Sequence, residues 1–205
     1  MAETALMIDV GDHALEARYQ PGAGARAIVL CHPHPQYGGS MDNNVVLAAR
    51  DALGALGFGT LRFNFRGVGR SGGAQATGLG EADDLAPLLE DLAARDADEV
   101  HLAGYSYGAW VALQALRGGL TPASLLLFSP PLDFLPFEDL RLPDADCLIT
   151  VGDRDEYCAA PSLQRWLDLQ PGTDRLTQVV LPGGDHFYWG QEGALKRAIT
   201  EFASA

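Results

Sequence analysis

Glu99-Val-His-Leu-Ala-Gly104-Tyr-Ser106-Tyr-Gly108-Ala-Trp-Val-Ala112 is the stretch on which the reading of the fold turns. An apolar, strand-like run passes through Gly-x-Ser-x-Gly into a segment of helical period, and that order demands a sharp strand-to-helix turn. Such a turn strains the serine backbone and brings neighbouring chain so close to the two glycines that larger side chains would clash. It lifts Ser106 above the end of a sheet. It also leaves the first N–H groups of the following helix unpaired, directed at the place where negative charge would develop on a substrate oxygen. In a chain with 24 Gly the bare pattern is weak, and its flanking strand and helix carry most of the weight.

Outward from this turn, short aliphatic runs alternate with longer amphipathic segments. Strands are expected over residues 6–10, 14–19, 27–31, 59–65, 99–103, 124–128, 147–151 and 177–181. The first two flank Gly11-Asp12-His13 and form an antiparallel hairpin; the others alternate with helices. The fold class is therefore α/β, a mostly parallel eight-stranded sheet with helices on both faces. The first helix opens near Asp42, with Asn43 and Asn44 as alternative caps. It turns Val46, Ala49, Leu53 and Leu56 to the core before Gly57 closes it. Another sets Leu85, Leu88, Leu89 and Leu92 on one face, with Pro87 in or near its first turn. Its acidic run, Glu81, Asp83, Asp84, Glu90 and Asp91, is assigned to solvent. Further helices are expected over 107–116, 161–169 and 191–203. No repeat or linker interrupts the pattern, so residues 1–205 read as a single domain.

Charge and cysteine usage narrow the function. The chain has 14 Lys and Arg against 27 Asp and Glu, a formal net charge of −13, which repels nucleic acid and anionic membrane surfaces. Cys31, Cys147 and Cys158 are odd in number and lack paired spacing, so they read as packed, reduced thiols. No signal-peptide pattern or bilayer-length apolar stretch appears, and the expected location is the cytoplasm.

A serine hydroxyl is a weak nucleophile until a base takes its proton, and the base needs a carboxylate to orient it. Of the five His, His186 alone follows Ser106, in the glycine-rich loop Leu181-Pro-Gly-Gly-Asp185-His186 after the last expected strand. The carboxylate should follow the strand over 147–151, where Gly152-Asp153-Arg154-Asp155-Glu156 stands. Asp155 is the choice, because the side chain must reach beyond the immediate turn, whereas Asp153 suits a turn cap beside Gly152. Asp133, after the preceding strand, is an outside candidate.

The chain resembles the α/β-hydrolase superfamily, in particular the compact bacterial serine hydrolases of carboxylesterase and dienelactone-hydrolase type with little or no lid. Besides Ser106, Asp155 and His186, the likeness rests on Cys31-His32-Pro33-His34-Pro35 and on Asn64-Phe-Arg66-Gly67-Val-Gly69-Arg-Ser71. Many members have His-Gly-x-Pro at the first of these loops, where the residue at x donates an oxyanion N–H. The resemblance implies that His34 and Tyr107 supply the two oxyanion N–H groups here, with Pro33 in place of the glycine. At the second loop Asn64 stands where many relatives have Asp, and Arg66 is read as a brace of its loop.

The resulting expectation is cleavage of small neutral esters through an acyl-serine, with no cofactor and no metal. His32 and His34 could turn both rings to one side of an extended segment, but no pattern supplies a third ligand. His101 reads as a core histidine and His13 as an exposed hairpin residue. The interval 129–146, broken by four prolines, is too short for a multi-helix lid. Tyr37, Tyr105, Tyr107, Phe134, Phe137, Tyr157 and Trp189 fall near the loops where α/β sheets bind ligands. Tyr37, Tyr105, Tyr157 and Trp189 are taken as substrate contacts. The same triad would also serve a thioesterase, peptidase or dienelactone hydrolase, and the non-catalytic alternative is a ligand-binding protein on this fold. The oligomeric state is left open.

Overall fold

Strands β3 (Arg26–Cys31), β4 (Gly59–Phe63) and β6 (Ser124–Phe128) carry buried side chains at nearly every position, so each must be covered on both faces. A computed structural model, describing residues 2–205, shows how. With β1 (Thr4–Asp9), β2 (Ala14–Gln20), β5 (Glu99–Tyr105), β7 (Asp146–Gly152) and β8 (Leu176–Leu181) they form one eight-stranded sheet. Its order is β1-β2-β4-β3-β5-β6-β7-β8. β1 pairs antiparallel with β2 and β2 antiparallel with β4, while every pairing from β4 to β8 is parallel.

Helices α1 (Asn44–Ala55) and α6 (Glu192–Ala203) cover one face; α2 (Leu79–Asp83), α3 (Leu85–Ala93), α4 (Tyr107–Arg117) and α5 (Ala160–Leu167) cover the other. Period-two alternation sends Ile28 and Leu30 of β3 to the first layer and Val29 and Cys31 to the second. Asn43 is the cap of α1, its side chain accepting from the Val45 N–H at 2.9 Å.

The chain leaves β3 for β4 on one side, then crosses to β5 on the other. That reversal opens a crevice at the carboxyl ends of β3 and β5, the place where open α/β sheets take ligands. Pairing of Cys31 with Gly104 makes the two strand ends level, so the loop after β3 meets the turn after β5. No helix forms between β6 and β7; Trp110 and Trp166 instead pin that segment through indole N–H bonds to the carbonyls of Pro136 and Phe137.

Two expectations fail here for one reason. Glu81 and Asp84, assigned to solvent, are buried. Glu81 accepts from the N–H groups of Ala76 and Gly78, closing the loop before α2, and Asp84 takes a forked ion pair from Arg66 at 2.6 and 2.8 Å. His13, expected to be exposed, has a side chain only 6% accessible, held between Asp12 and Asp84. Acidic groups deep in a fold require such partners, and only the folded backbone brings Arg66 to Asp84 and wraps residues 76–78 over Glu81. Arg66 thereby braces its loop.

Candidate active site

The turn after β5 holds Ser106 at φ +52° and ψ −118°, a conformation that costs free energy for a residue with a Cβ. A Cβ on Gly104 would stand 2.3 Å from the Gly108 carbonyl oxygen, and one on Gly108 2.6 Å from that of Cys31. Both glycines are therefore dictated by packing. The Ser106 N–H is fastened to the Phe128 carbonyl at 2.9 Å, which ties the strained turn to β6.

Ser106 Oγ lies 2.9 Å from His186 Nε2. His186 Nδ1 lies 2.9 and 3.0 Å from the two carboxylate oxygens of Asp155. An ionised carboxylate only accepts, so Nδ1 carries the ring proton and Nε2 presents a lone pair to the serine. Burial pushes the Asp155 carboxyl up, but the hydrogen bond and charge of His186, with further bonds that include the Tyr157 N–H, outweigh it and hold the group below its ordinary range. Asp155 Oδ1 also accepts from the N–H groups of Tyr157 and Cys158 at 2.9 and 3.0 Å. The other two candidate carboxylates have different tasks. Asp153 accepts from the Gly183 N–H at 2.7 Å, and Asp133 from the Ala159 N–H and the Ser162 hydroxyl.

Beneath the imidazole, the Tyr105 hydroxyl donates to the His186 carbonyl at 2.8 Å. Next to it Tyr188 is fully buried, its hydroxyl donating to the Thr150 carbonyl and accepting from Ser129 Oγ, both at 3.0 Å. Sequence reasoning missed Ser129, Thr150 and Tyr188. A Tyr between two other aromatics carries no signal of which way it points.

Across the cleft, Tyr107 opens α4, so its N–H has no carbonyl one turn back. Among the described residues the backbone N–H of His34 likewise donates to no protein acceptor. The path of this loop is set by Gly39, whose N–H binds the His34 carbonyl at 3.1 Å and where a Cβ would stand 2.1 Å from the Pro33 carbonyl oxygen. His34 caps a short 3-10 turn over Pro35–Tyr37: its Nδ1 accepts from the Gln36 N–H, which places the neutral ring's proton on Nε2. His32 is wholly buried. Its Nδ1 donates to the Pro33 carbonyl at 2.6 Å and its Nε2 accepts from the Phe65 N–H at 3.0 Å. Burial lowers its pKa to about 4 and that of His34 by a smaller amount. With both nitrogens of His32 engaged, the His32–His34 pair has one ring too few even to begin a metal site, and no cluster of three or more ligating side chains occurs among the described residues.

A cavity of about 260 Å³ lies over Ser106. Tyr37, Tyr105, Tyr107, Tyr157, Phe134, Phe187 and His34 form much of its lining. Tyr105 contributes only ring wall, its hydroxyl being held by His186. Trp189 does not reach this cavity: it is 72% exposed and Phe187 occupies the wall instead. Phe137 is a core residue stacked edge-on to Trp166. A larger groove, about 790 Å³, opens at the opposite ends of β5–β8 beside His101, and contains none of Ser106, Asp155 and His186. Chemistry, not volume, therefore selects the smaller cavity.

Residues 28–146 match the family model described as the alpha/beta hydrolase family. The chain is 31% identical to an alpha-beta serine hydrolase homologue from Coxiella burnetii, covering 98% of this chain and 97% of that one, with a TM-score of 0.89. It is 34% identical to a serine hydrolase without a lid from Xanthomonas campestris, covering 100% and 94%, with a TM-score of 0.88. An uncharacterized protein of Rickettsia prowazekii (strain Madrid E) is 31% identical over 199 residues, 92% of this chain and 83% of its own length. With a full-length likeness in sequence and in structure, and a matched region spanning more than half of its residues, this chain belongs to the alpha/beta hydrolase family.

Proposed function

We propose that the protein is a carboxylesterase-like serine hydrolase acting on small neutral esters. The observation that carries this reading is the unbroken line from Ser106 Oγ through His186 to Asp155, each step 2.9 Å, opening into a mainly apolar cavity. Ser106 Oγ attacks the ester carbonyl carbon as His186 Nε2 takes its proton, and the N–H groups of Tyr107 and His34 stabilise the oxyanion. Collapse of the tetrahedral adduct breaks the bond to the alcohol, which leaves with the proton from Nε2 and yields an acyl-serine. Water, deprotonated by the same nitrogen, then attacks this ester and releases the acid. Each backbone donor in such a hole is worth ~10²–10³ in turnover, so the geometry of Gly39 and Gly108 counts alongside the triad.

No Lys, Arg, Asp or Glu lines the cavity. That favours a neutral ester over substrates with a phosphorylated head group such as coenzyme A thioesters. The test is hydrolysis of short p-nitrophenyl esters by the purified chain, alongside acyl-thioesters and peptide amides. Ester turnover that disappears in Ser106→Ala supports the reading. Equal ester turnover in that variant, or a larger kcat/KM on thioesters or amides, overturns it.

A further inference from the structure

We infer that the ester taken by this site carries a single planar aromatic ring. This rests on the carboxylesterase reading and extends it to the substrate class. Tyr37, Phe134, Phe187 and Tyr157 are 75, 48, 49 and 37% exposed, yet they gather on one rim, whereas the remaining exposed large apolar side chains, such as Met7, Leu79, Leu169 and Val180, lie outside the cavity. Clustered exposed apolar surface of this kind marks a place where something binds.

The rings form a continuous edge-to-face chain. Tyr37 and Phe134 have centroids 6.1 Å apart at 66°, Phe134 and Tyr157 5.9 Å at 83°, and Tyr157 and Phe187 6.4 Å at 79°. Tyr157 then lies over the His186 imidazole at 4.6 Å. Rings that already meet edge to face on the cavity wall offer a further ring the same quadrupole-matched contact, which a saturated ring or alkyl chain of equal area does not make. Size agrees. An apolar cavity of about 150 Å³ is enough for benzene, so about 260 Å³ accommodates one ring and the reacting ester group.

The ring can belong to the acid or to the alcohol, and two matched pairs separate these sources. Methyl phenylacetate against methyl cyclohexylacetate places it on the acid; benzyl acetate against cyclohexylmethyl acetate places it on the alcohol. Within each pair the leaving groups are of similar reactivity and only aromaticity changes. For the full chain, kcat/KM measured by acid release should favour the aromatic member of at least one pair by about fivefold or more. Phe134→Leu, which keeps an apolar side chain and removes a ring, should lower that ratio by about two- to tenfold, and Tyr37→Leu should do the same. Both positions are surface-exposed, so either variant reports even if the other fails to fold. Ratios near one in both pairs, or ratios unchanged by both substitutions, overturn the inference while leaving the esterase reading intact. Absence of turnover on all four esters, together with no turnover of p-nitrophenyl esters, overturns the esterase reading itself and this inference with it.

Discussion

His32 makes the fold acid-labile, and the size of the effect follows from its surroundings. Its ring is inaccessible, bonded through one nitrogen to the Pro33 carbonyl and through the other to the Phe65 N–H, and burial lowers its pKa from 6.5 to about 4. Well above pH 6.5 the ring is neutral in folded and unfolded chains alike and adds no pH dependence. As pH falls from 6.5 to 4 the unfolded chain binds a proton that the folded one does not, so stability is lost across that window and the loss is complete below it. At 1.36 kcal/mol for each pH unit separating the two pKa values, the loss approaches about 3 kcal/mol by pH 4 and about 2 kcal/mol by pH 5. His32→Gln keeps a side-chain oxygen able to accept from the Phe65 N–H and cannot titrate. Urea unfolding at pH 7 and pH 5 of the native chain and the variant gives a double difference in which His34, His101 and the carboxylates, common to both, cancel. The native chain should lose about 2 kcal/mol more than the variant. Parallel losses would show that His32 is charged in the fold, or that the loop opens to water, and the account of this loop would be wrong.

Three other substitutions test the site and its supports. Asp155→Asn should lower ester turnover by about 10⁴, while Asp153→Asn, which weakens only the acceptor for the Gly183 N–H, should leave kcat within a few-fold; the reverse ranking would exchange their roles. Arg66→Ala leaves the buried Asp84 carboxylate without its fork and should cost about 3 kcal/mol in a urea melt at pH 7, whereas a cost near zero would make the pair ornamental.

The parts of the fold legible in the sequence are those governed by local chemistry. Gly104 and Gly108 are demanded by contacts under 3 Å, so the turn that presents Ser106 could be recognised from its five residues together with the strand-like run before them and the helical period after them. Strand positions followed from aliphatic runs because β3, β4 and β6 are buried on both faces. Asp155 could be preferred over Asp153 because side-chain reach differs between a turn and the residue beyond it. What stayed hidden depends on partners that only the folded backbone brings into place. Glu81 and Asp84 look like a wet helix face until Arg66 and the Ala76–Gly78 backbone are brought against them. In Phe187-Tyr188-Trp189, three successive aromatics take the cavity wall, the buried layer and the solvent respectively. Tyr188 has φ +58°, a local reversal that no periodicity announces.

Intact-mass analysis after exposure to a serine-reactive fluorophosphonate asks whether Ser106 is a nucleophile activated through His186 and Asp155. One adduct per chain is expected, located on Ser106 by peptide mapping, absent in Ser106→Ala and formed far more slowly in His186→Ala. No adduct on the folded native chain, or an adduct of equal yield in Ser106→Ala, would contradict it.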